Sequence, residues 1–306
     1  MTHSSVLNWP QHLHWEDYYR PSSISEALRV LEKFKGEARI IAGATDVLVQ
    51  MRRKQLSPRV LVDITRISGL DQIRLEKDTI RIGALVTHSQ VESSPLIRNG
   101  ATALSEGASQ VGSPQIRNLG TVAGNLVSGQ PGADTALPLL ALDAEVKLAT
   151  LEGVRSIPLT EFFVDIGRTA VDGTRDLITE ISFPALKEDE TSVYLRLANR
   201  RALALPILAV CVVLSADLNK RWFNYSRITL GPVARTPFKA VEAANLLNDA
   251  PLEEKLIREA AKKSAQASDP RDSLLRGCSE YRKAMVENLV ERGIRKCLER
   301  LERIHD

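Results

Sequence analysis

The residues whose types and spacing point to chemistry are mostly small ones. Gly120-Thr121-Val122-Ala123-Gly124-Asn125 lies at the centre of a stretch running from Ser113 to Ala144. A polar loop, Val127 to Gly132, follows, and then an apolar helix for which Asp134 is the expected cap. Chain with few bulky side chains lets a ligand approach the backbone. Successive N–H groups exposed in such a turn form a concavity suited to phosphate oxygens. Thr121 and Asn125 would add a hydroxyl and an amide. The turn therefore reads either as a phosphate- or pyrophosphate-binding turn or as an ordinary tight turn before a core helix, and its spacing alone does not separate the two. A second stretch, Arg39 to Met51, reads as a buried strand, a turn at Gly43 and a helix starting near Asp46. A turn that opens a helix offers backbone donors and the positive end of the helix dipole. Two such turns, each with Gly and Thr, could grip one diphosphate from two sides. Neither matches GxGxxG or GxxxxGK[ST], so the Rossmann and P-loop nucleotide folds lose support.

Other chemistry is thinly represented. No Ser-His-Asp, HExxH or paired-carboxylate pattern stands out, so reactivity is expected from a bound cofactor that the protein holds and tunes. Cys211, Cys278 and Cys297 are far apart and odd in number. They form neither a disulfide framework nor a CxxC metal site, which points to a reducing compartment. They also fall short of the roughly four cysteines that hold an iron–sulfur cluster. His88 reads either as a base beside the ligand or as a plain helix-start residue. Arg52-Arg53-Lys54 reads either as a contact for a negative cofactor or as a solvated helix end. His3, His12 and His14 read as surface residues of a loosely ordered leader, and Trp9 and Trp15 beside them suggest that it packs on something. No signal peptide is expected at the start, and no apolar run approaches the ~20 residues of a membrane span. A formal charge of +3 on 306 residues gives no reason to expect nucleic acid or a membrane surface as partner.

The elements that must position these residues follow from periodicity. Ser22-Ser23 marks a helix start, with Ile24, Ala27, Leu28, Leu31 and Phe34 at helical spacing and Gly36 as the stop. With the strand Arg39–Ala42 and a second strand at Val60–Asp63, this predicts a small βαβ-like unit. A second unit follows, with strands at 72–75 and 79–83, helices at 88–92 and 96–107, the central glycine turn, strands at 144–149 and 154–158, and a strand from Leu177 ended by Pro184. Phe162-Phe163 are expected to anchor the segment after the second hairpin. A third unit starts near Ser192, with strands at 193–197 and 227–231, a strongly apolar run over 202–214, and helices at 239–247, 252–267 and 280–303. The mixed charges of its last part read as solvated helix faces.

Together, IIAGATDVLVQMRRK and SPQIRNLGTVAGN resemble the two FAD-binding signatures of the flavin subunit of molybdenum hydroxylases. That family includes the xanthine dehydrogenase flavin subunit and the medium subunit of aerobic carbon monoxide dehydrogenase. The resemblance runs from Tyr18-Tyr19-Arg20-Pro21 to Tyr281-Arg282, includes Arg200-Arg201, and takes in a C-terminal signature that begins at Ser268. It implies an α+β fold: a two-part FAD-binding domain of the vanillyl-alcohol-oxidase/PCMH type (residues 1–66 and 67–188) and a C-terminal α+β domain (189–306) with an antiparallel sheet and helices. It implies FAD, with Ile40, Ile41, Ala42, Gly43, Ala44, Thr45, Asp46 and Val47 on one side of the diphosphate. Thr121, Val122, Ala123, Gly124 and Asn125 would hold the other side. Asp134 would lie near the adenosine part, and Ile178 and Arg196 would touch the cofactor from neighbouring strands, Arg196 standing where the family often has Lys. The family often carries Gly-Gly in both turns, whereas here the pairs are Gly43-Ala44 and Ala123-Gly124. Ala44 suits its turn if its φ stays below zero. The methyl of Ala123 would crowd the phosphate or demand a different backbone angle.

The resemblance further implies a relay subunit that is inactive on the substrate by itself. A large molybdopterin-binding subunit would oxidise the substrate, and a small [2Fe–2S] subunit would deliver electrons to FAD on this chain. NAD⁺, oxygen or another acceptor would take them up, in a cytoplasmic assembly built as a dimer of heterotrimers. Alternatives are a stand-alone FAD oxidoreductase with a pocket in the third unit, a scaffold or assembly subunit that has lost FAD, and a nucleotide-binding regulatory module.

Overall fold

The computed structural model describes residues 14–200 and 203–305. The leader residues His3, Trp9 and His12 lie outside the described residues, as do Arg201 and Ala202.

The first sheet is wholly parallel. It comprises β1 (Asp17–Tyr19), β2 (Ala38–Ile41) and β3 (Val60–Asp63), with β3 in the middle and Ile40 opposite Val62. Helix α1 (Ile24–Phe34) forms because Ser23 caps it, accepting from the Glu26 N–H, and because Ala27, Leu28 and Leu31 bury one face. It ends where Lys35 and Gly36 both take positive φ. Side chains of β3 alternate, so each face needs a cover. Val60 and Val62 pack with α1, while Leu61 packs with Ile41 and with Met51 of α2 (Val47–Arg52). Covered on both faces, β3 is buried along its whole length.

The second sheet is antiparallel. Its strands β4 (Ile73–Glu76) and β5 (Thr79–Gly83) precede the helices α3 (His88–Ser93), α4 (Pro95–Gly100), α5 (Thr102–Ser109), α6 (Pro114–Leu119), α7 (Val122–Val127) and α8 (Ala136–Ala141). Then come β6 (Glu145–Thr150), β7 (Gly153–Pro158), the short α9 (Leu159–Phe162), the small hairpin β8 (Phe163–Asp165) and β9 (Arg168–Thr169), and β10 (Leu177–Pro184). The order is β4-β5-β10-β6-β7. Two readings change here. The helix expected over 96–107 is two helices, broken at Ala101 (φ −162°). The break lets the Ala103 N–H donate to the Ser192 hydroxyl of the third unit at 2.9 Å. The small-residue turn at 120–125 is short, because Thr121 caps α7 and the chain is helical from Val122.

The third sheet holds β11 (Glu190–Leu197), β12 (Leu208–Asp217), β13 (Trp222–Gly231) and β14 (Phe238–Lys239). After α10 (Val241–Asn245), β15 (Ala250–Pro251) pairs with β13, and the chain closes with α11 (Glu254–Ala267) and α12 (Ser279–His305). Nine of the ten residues of β12 are buried. Alternation explains why: Val210, Val212 and Leu214 pack with Ile257, Val290 and Ile294 of the last two helices, while Ala209, Cys211 and Val213 join the core of the second unit. The second and third units thus share packed surface. Among the described residues, no helix is long and apolar enough to cross a membrane.

Candidate functional site

A cavity of about 400 Å³ opens where the β2–α2 turn, the α6–α7 turn and the start of β10 meet. That volume lies within the range of small-molecule and cofactor sites. All eight residues from Ile40 to Val47 line it, as do Thr121, Ala123, Gly124, Asn125 and Ile178.

The first turn is open and strained. Ala44 has φ +56°, so the negative φ under which an alanine would suit this turn is not met. The sequence of backbone angles around a left-handed residue swings consecutive N–H groups toward one point, the geometry of an anion nest. None of the N–H groups from Gly43 to Asp46 enters the backbone hydrogen bonds of the loops. Gly43 is required for a different reason. A Cβ there would overlap the Leu119 carbonyl, so the two turns touch backbone to backbone. Asp46 stands at the N-cap of α2 but makes no side-chain cap hydrogen bond.

The second turn is closed on itself. The Thr121 hydroxyl accepts from the Gly124 N–H at 3.0 Å, and the Asn125 side-chain carbonyl accepts from the Thr135 hydroxyl at 2.7 Å. The Val122 N–H donates to the Val86 carbonyl and that of Asn125 to the Thr121 carbonyl. Both side chains thus serve the fold as acceptors, and neither the Thr121 O–H nor the Asn125 side-chain N–H groups donate to another described residue. Val122 is fully buried in the core and away from the cavity wall. Ala123 is helical and 5% exposed, and its backbone needs no glycine.

Asp134 and Arg196 do not line the cavity. They form a separate buried cluster in which the Tyr194 hydroxyl donates to Asp134 at 2.6 Å and the Arg196 Nε lies 3.4 Å from the same carboxylate. Arg196 also donates to the Gln110 carbonyl at 2.7 Å and to the Ala204 carbonyl. Burial raises the Asp134 carboxyl, and Arg196 and Tyr194 offset part of that rise. Nor does Asp134 cap α8, whose N-cap is Thr135.

The cavity's cation is Arg39, not the exposed run Arg52-Arg53-Lys54. Arg39 lies against the Asp172-Gly173 turn, where a Cβ on Gly173 would come 3.0 Å from its Nη1. Asp176 also borders the cavity, held by Arg155 at 3.2 Å and accepting from the Asp172 N–H at 3.0 Å. His88 lines the cavity and is 2% exposed. Burial first, and then the charge of Arg117, push its imidazole down to about 4. A histidine at a helix start gave no sign of this, since the burial comes from chain more than thirty residues on.

Comparison with known proteins identifies both parts of the chain. Residues 12–186 match the FAD binding domain in molybdopterin dehydrogenase, and residues 193–297 match the CO dehydrogenase flavoprotein C-terminal domain. The nicotinate dehydrogenase FAD-subunit of Eubacterium barkeri is 34% identical over 77% of this chain and 80% of its own length. A subunit of the 6-hydroxypseudooxynicotine dehydrogenase complex of Paenarthrobacter nicotinovorans, its subunit alpha, is 33% identical over 93% of this chain and 95% of its own. A chain of the carbon monoxide dehydrogenase of Hydrogenophaga pseudoflava superposes with a TM-score of 0.89 at 28% identity, covering 94% of this chain and 98% of that one. The chain belongs to the family of FAD-binding subunits of molybdopterin-dependent dehydrogenases. It is an oxidoreductase subunit, and the cofactor of its matched domain is FAD.

The residues present fit that cofactor. The first turn offers N–H groups that take no part in the loops' backbone hydrogen bonds, Gly43 lets the second turn pack against it backbone to backbone, and Arg39 supplies a positive charge.

Proposed function

We propose that this chain holds FAD in the cavity between its first two sheets, with the diphosphate against the Gly43–Asp46 turn, and relays electrons from [2Fe–2S] clusters on a partner subunit to NAD⁺ or another acceptor. A large molybdopterin-binding subunit completes the complex and carries out substrate oxidation. The single observation carrying the reading is the Gly43–Asp46 turn, left-handed at Ala44, with none of its N–H groups in the loops' backbone hydrogen bonds, beside a cavity lined by every residue from Ile40 to Val47.

FAD, when bound, supplies the capacity to take up and release electrons singly or in pairs. The chain's own residues do the rest. The N–H groups of the first turn donate hydrogen bonds to the diphosphate's oxygens. The second turn buttresses the first through the Gly43–Leu119 contact. Ile41 and Ile178 give the cavity apolar wall, and Arg39 neutralises charge at the end formed by Gly173.

An absorption spectrum of the purified chain, with chromatographic identification of what it releases, tests the cofactor. Flavin bands and released FAD are expected. A folded, colourless chain that takes up no added FAD would refute the reading and leave the scaffold alternative. Co-expression with candidate molybdopterin and iron–sulfur chains tests the relay: the flavin should bleach on adding substrate only when both partners are present.

A further inference from the structure

We infer that Arg39 is a binding residue for one of the cofactor's flat rings, its guanidinium lying face to face with the heterocycle; this rests on the FAD reading above. Arg39 is partly buried. Its side chain forms no hydrogen bond or ion pair with any described residue, and Asp172 is the one charge that acts on it. None of its nitrogens is sealed off, since the buried side-chain atoms without a partner belong to other residues. Gly173 fixes how the group lies. A Cβ there would come 3.0 Å from Nη1, 3.3 Å from Cζ and 3.8 Å from Nε. Those distances put the point above the plane of the guanidinium, over Nη1, and not at its rim. Gly173 therefore backs one flat face, and both residues line the cavity.

The carboxylates nearby are committed elsewhere. Asp172 accepts from the Thr174 N–H at 3.0 Å and from its hydroxyl at 2.7 Å. Asp176 accepts from the Asp172 N–H and is held by Arg155. They also make this end of the cavity a poor place for a phosphate, which would meet two like charges. Position argues the same way. Arg39 stands four residues ahead of Gly43 on β2, roughly 10–13 Å from the diphosphate turn at strand spacing. Its neighbours on the cavity wall are apolar: Ile40 and Ile41 on its own strand, and Val171, Leu177 and Ile178 around the Gly173 turn. Apolar wall and a flat, always-charged cation suit a heteroaromatic ring, on which guanidinium planes stack. FAD carries two such rings, adenine and isoalloxazine, on opposite sides of its diphosphate.

The test uses the full chain stripped of flavin and the variants Arg39→Gln, Arg39→Lys and Gly173→Ala, titrated with FAD and with ADP by fluorescence and calorimetry. Arg39→Gln should bind FAD about 5- to 30-fold more weakly. Arg39→Lys keeps the charge and loses the plane, so it should recover only part of that loss. Gly173→Ala keeps Arg39 and meets only its flexible side chain, so it should fold normally and lose about two- to fivefold by displacing the guanidinium. The flavin-free variants should melt within about 2 °C of the parent, since no hydrogen bond or ion pair is removed. The ratio of parent to Arg39→Gln affinity should hold from low to high salt, because the ring is uncharged. ADP weakened in step with FAD identifies the ring as adenine. ADP unchanged, with the absorption bands of bound flavin shifted in Arg39→Gln, identifies it as isoalloxazine. Several results would overturn the assignment: FAD affinity unchanged in Arg39→Gln, full recovery in Arg39→Lys, or a ratio that collapses with salt, as for a phosphate contact. An FAD loss with neither ADP nor the flavin bands affected would do the same, as would a loss explained by lower melting. A parent chain that takes up no FAD at all refutes the cofactor reading, whereas uptake indifferent to residue 39 refutes only this one.

Discussion

The two glycine turns look alike in sequence and differ in structure. The Gly43–Asp46 turn carries a left-handed alanine and unspent N–H groups. The Gly120–Asn125 turn has most of its backbone donors satisfied inside the protein, and its hydroxyl and amide oxygens accept hydrogen bonds there. One turn stores strain and offers backbone donors, and the other has its backbone largely satisfied and holds the first in place. Strain that persists only because its surroundings enforce it is expected where a ligand is gripped. The contact between Gly43 and Leu119 makes the pair one device, since the open turn is backed by the closed one.

Several substitutions can break or sharpen that contrast. The largest effect is expected for Gly43→Ala. Its methyl meets backbone and not a flexible side chain, so the turns must part. Flavin content should fall to background, with a stability loss of about 3 kcal/mol, measured by absorbance and by urea unfolding. If Gly43→Ala purifies yellow and as stable as the parent, the turns are not mechanically coupled.

Next comes pH. The His88 imidazole falls from about 6.5 unfolded to about 4 folded. The unfolded chain therefore binds the extra proton first, and the folded state loses stability as pH falls through that window. The cost approaches about 3 kcal/mol near pH 4. Comparing flavin-free parent and His88→Phe between pH 7 and 4 isolates it, because the variant should lack this component of the slope.

A smaller effect is expected for Thr121→Ala. Losing the cap on the Gly124 N–H should cost about 1 kcal/mol, while FAD affinity stays within about threefold of the parent's. A large affinity loss with little loss of stability would make the second turn a donor site after all. The smallest effect has the opposite sign. Ala44→Gly relieves the left-handed backbone and should add stability of about 0.5–1 kcal/mol, read from the melting temperature. A drop would mean that the alanine methyl packs favourably enough to outweigh its φ.

Much of the architecture was legible because it depends on local pattern. The Ser23 cap, the strands at Ala38–Ile41 and Val60–Asp63 and the hairpin around Gly153 follow from periodicity and turn chemistry. The break at Ala101 was not legible, because its reward is a hydrogen bond to Ser192 far along the chain. The first glycine turn was recovered residue by residue as cavity wall. The second was recovered only in part, since Val122 turns into the core. Asp134 and Arg196 sit instead in a cluster with Tyr194.

The sequence by itself determined the family, the mixed helix-and-sheet architecture and the position of both turns, because these are written in small residues, caps and alternation over short spans. Only the tertiary structure decided which turn keeps its backbone donors free, that Ala44 is left-handed, that Arg39 and not Arg52-Arg53-Lys54 enters the cavity, and that His88 is sealed beside it. The physical reason is that donor satisfaction, backbone strain and desolvation are properties of what packs around a residue. Here the packing partners come from chain tens to more than a hundred positions away.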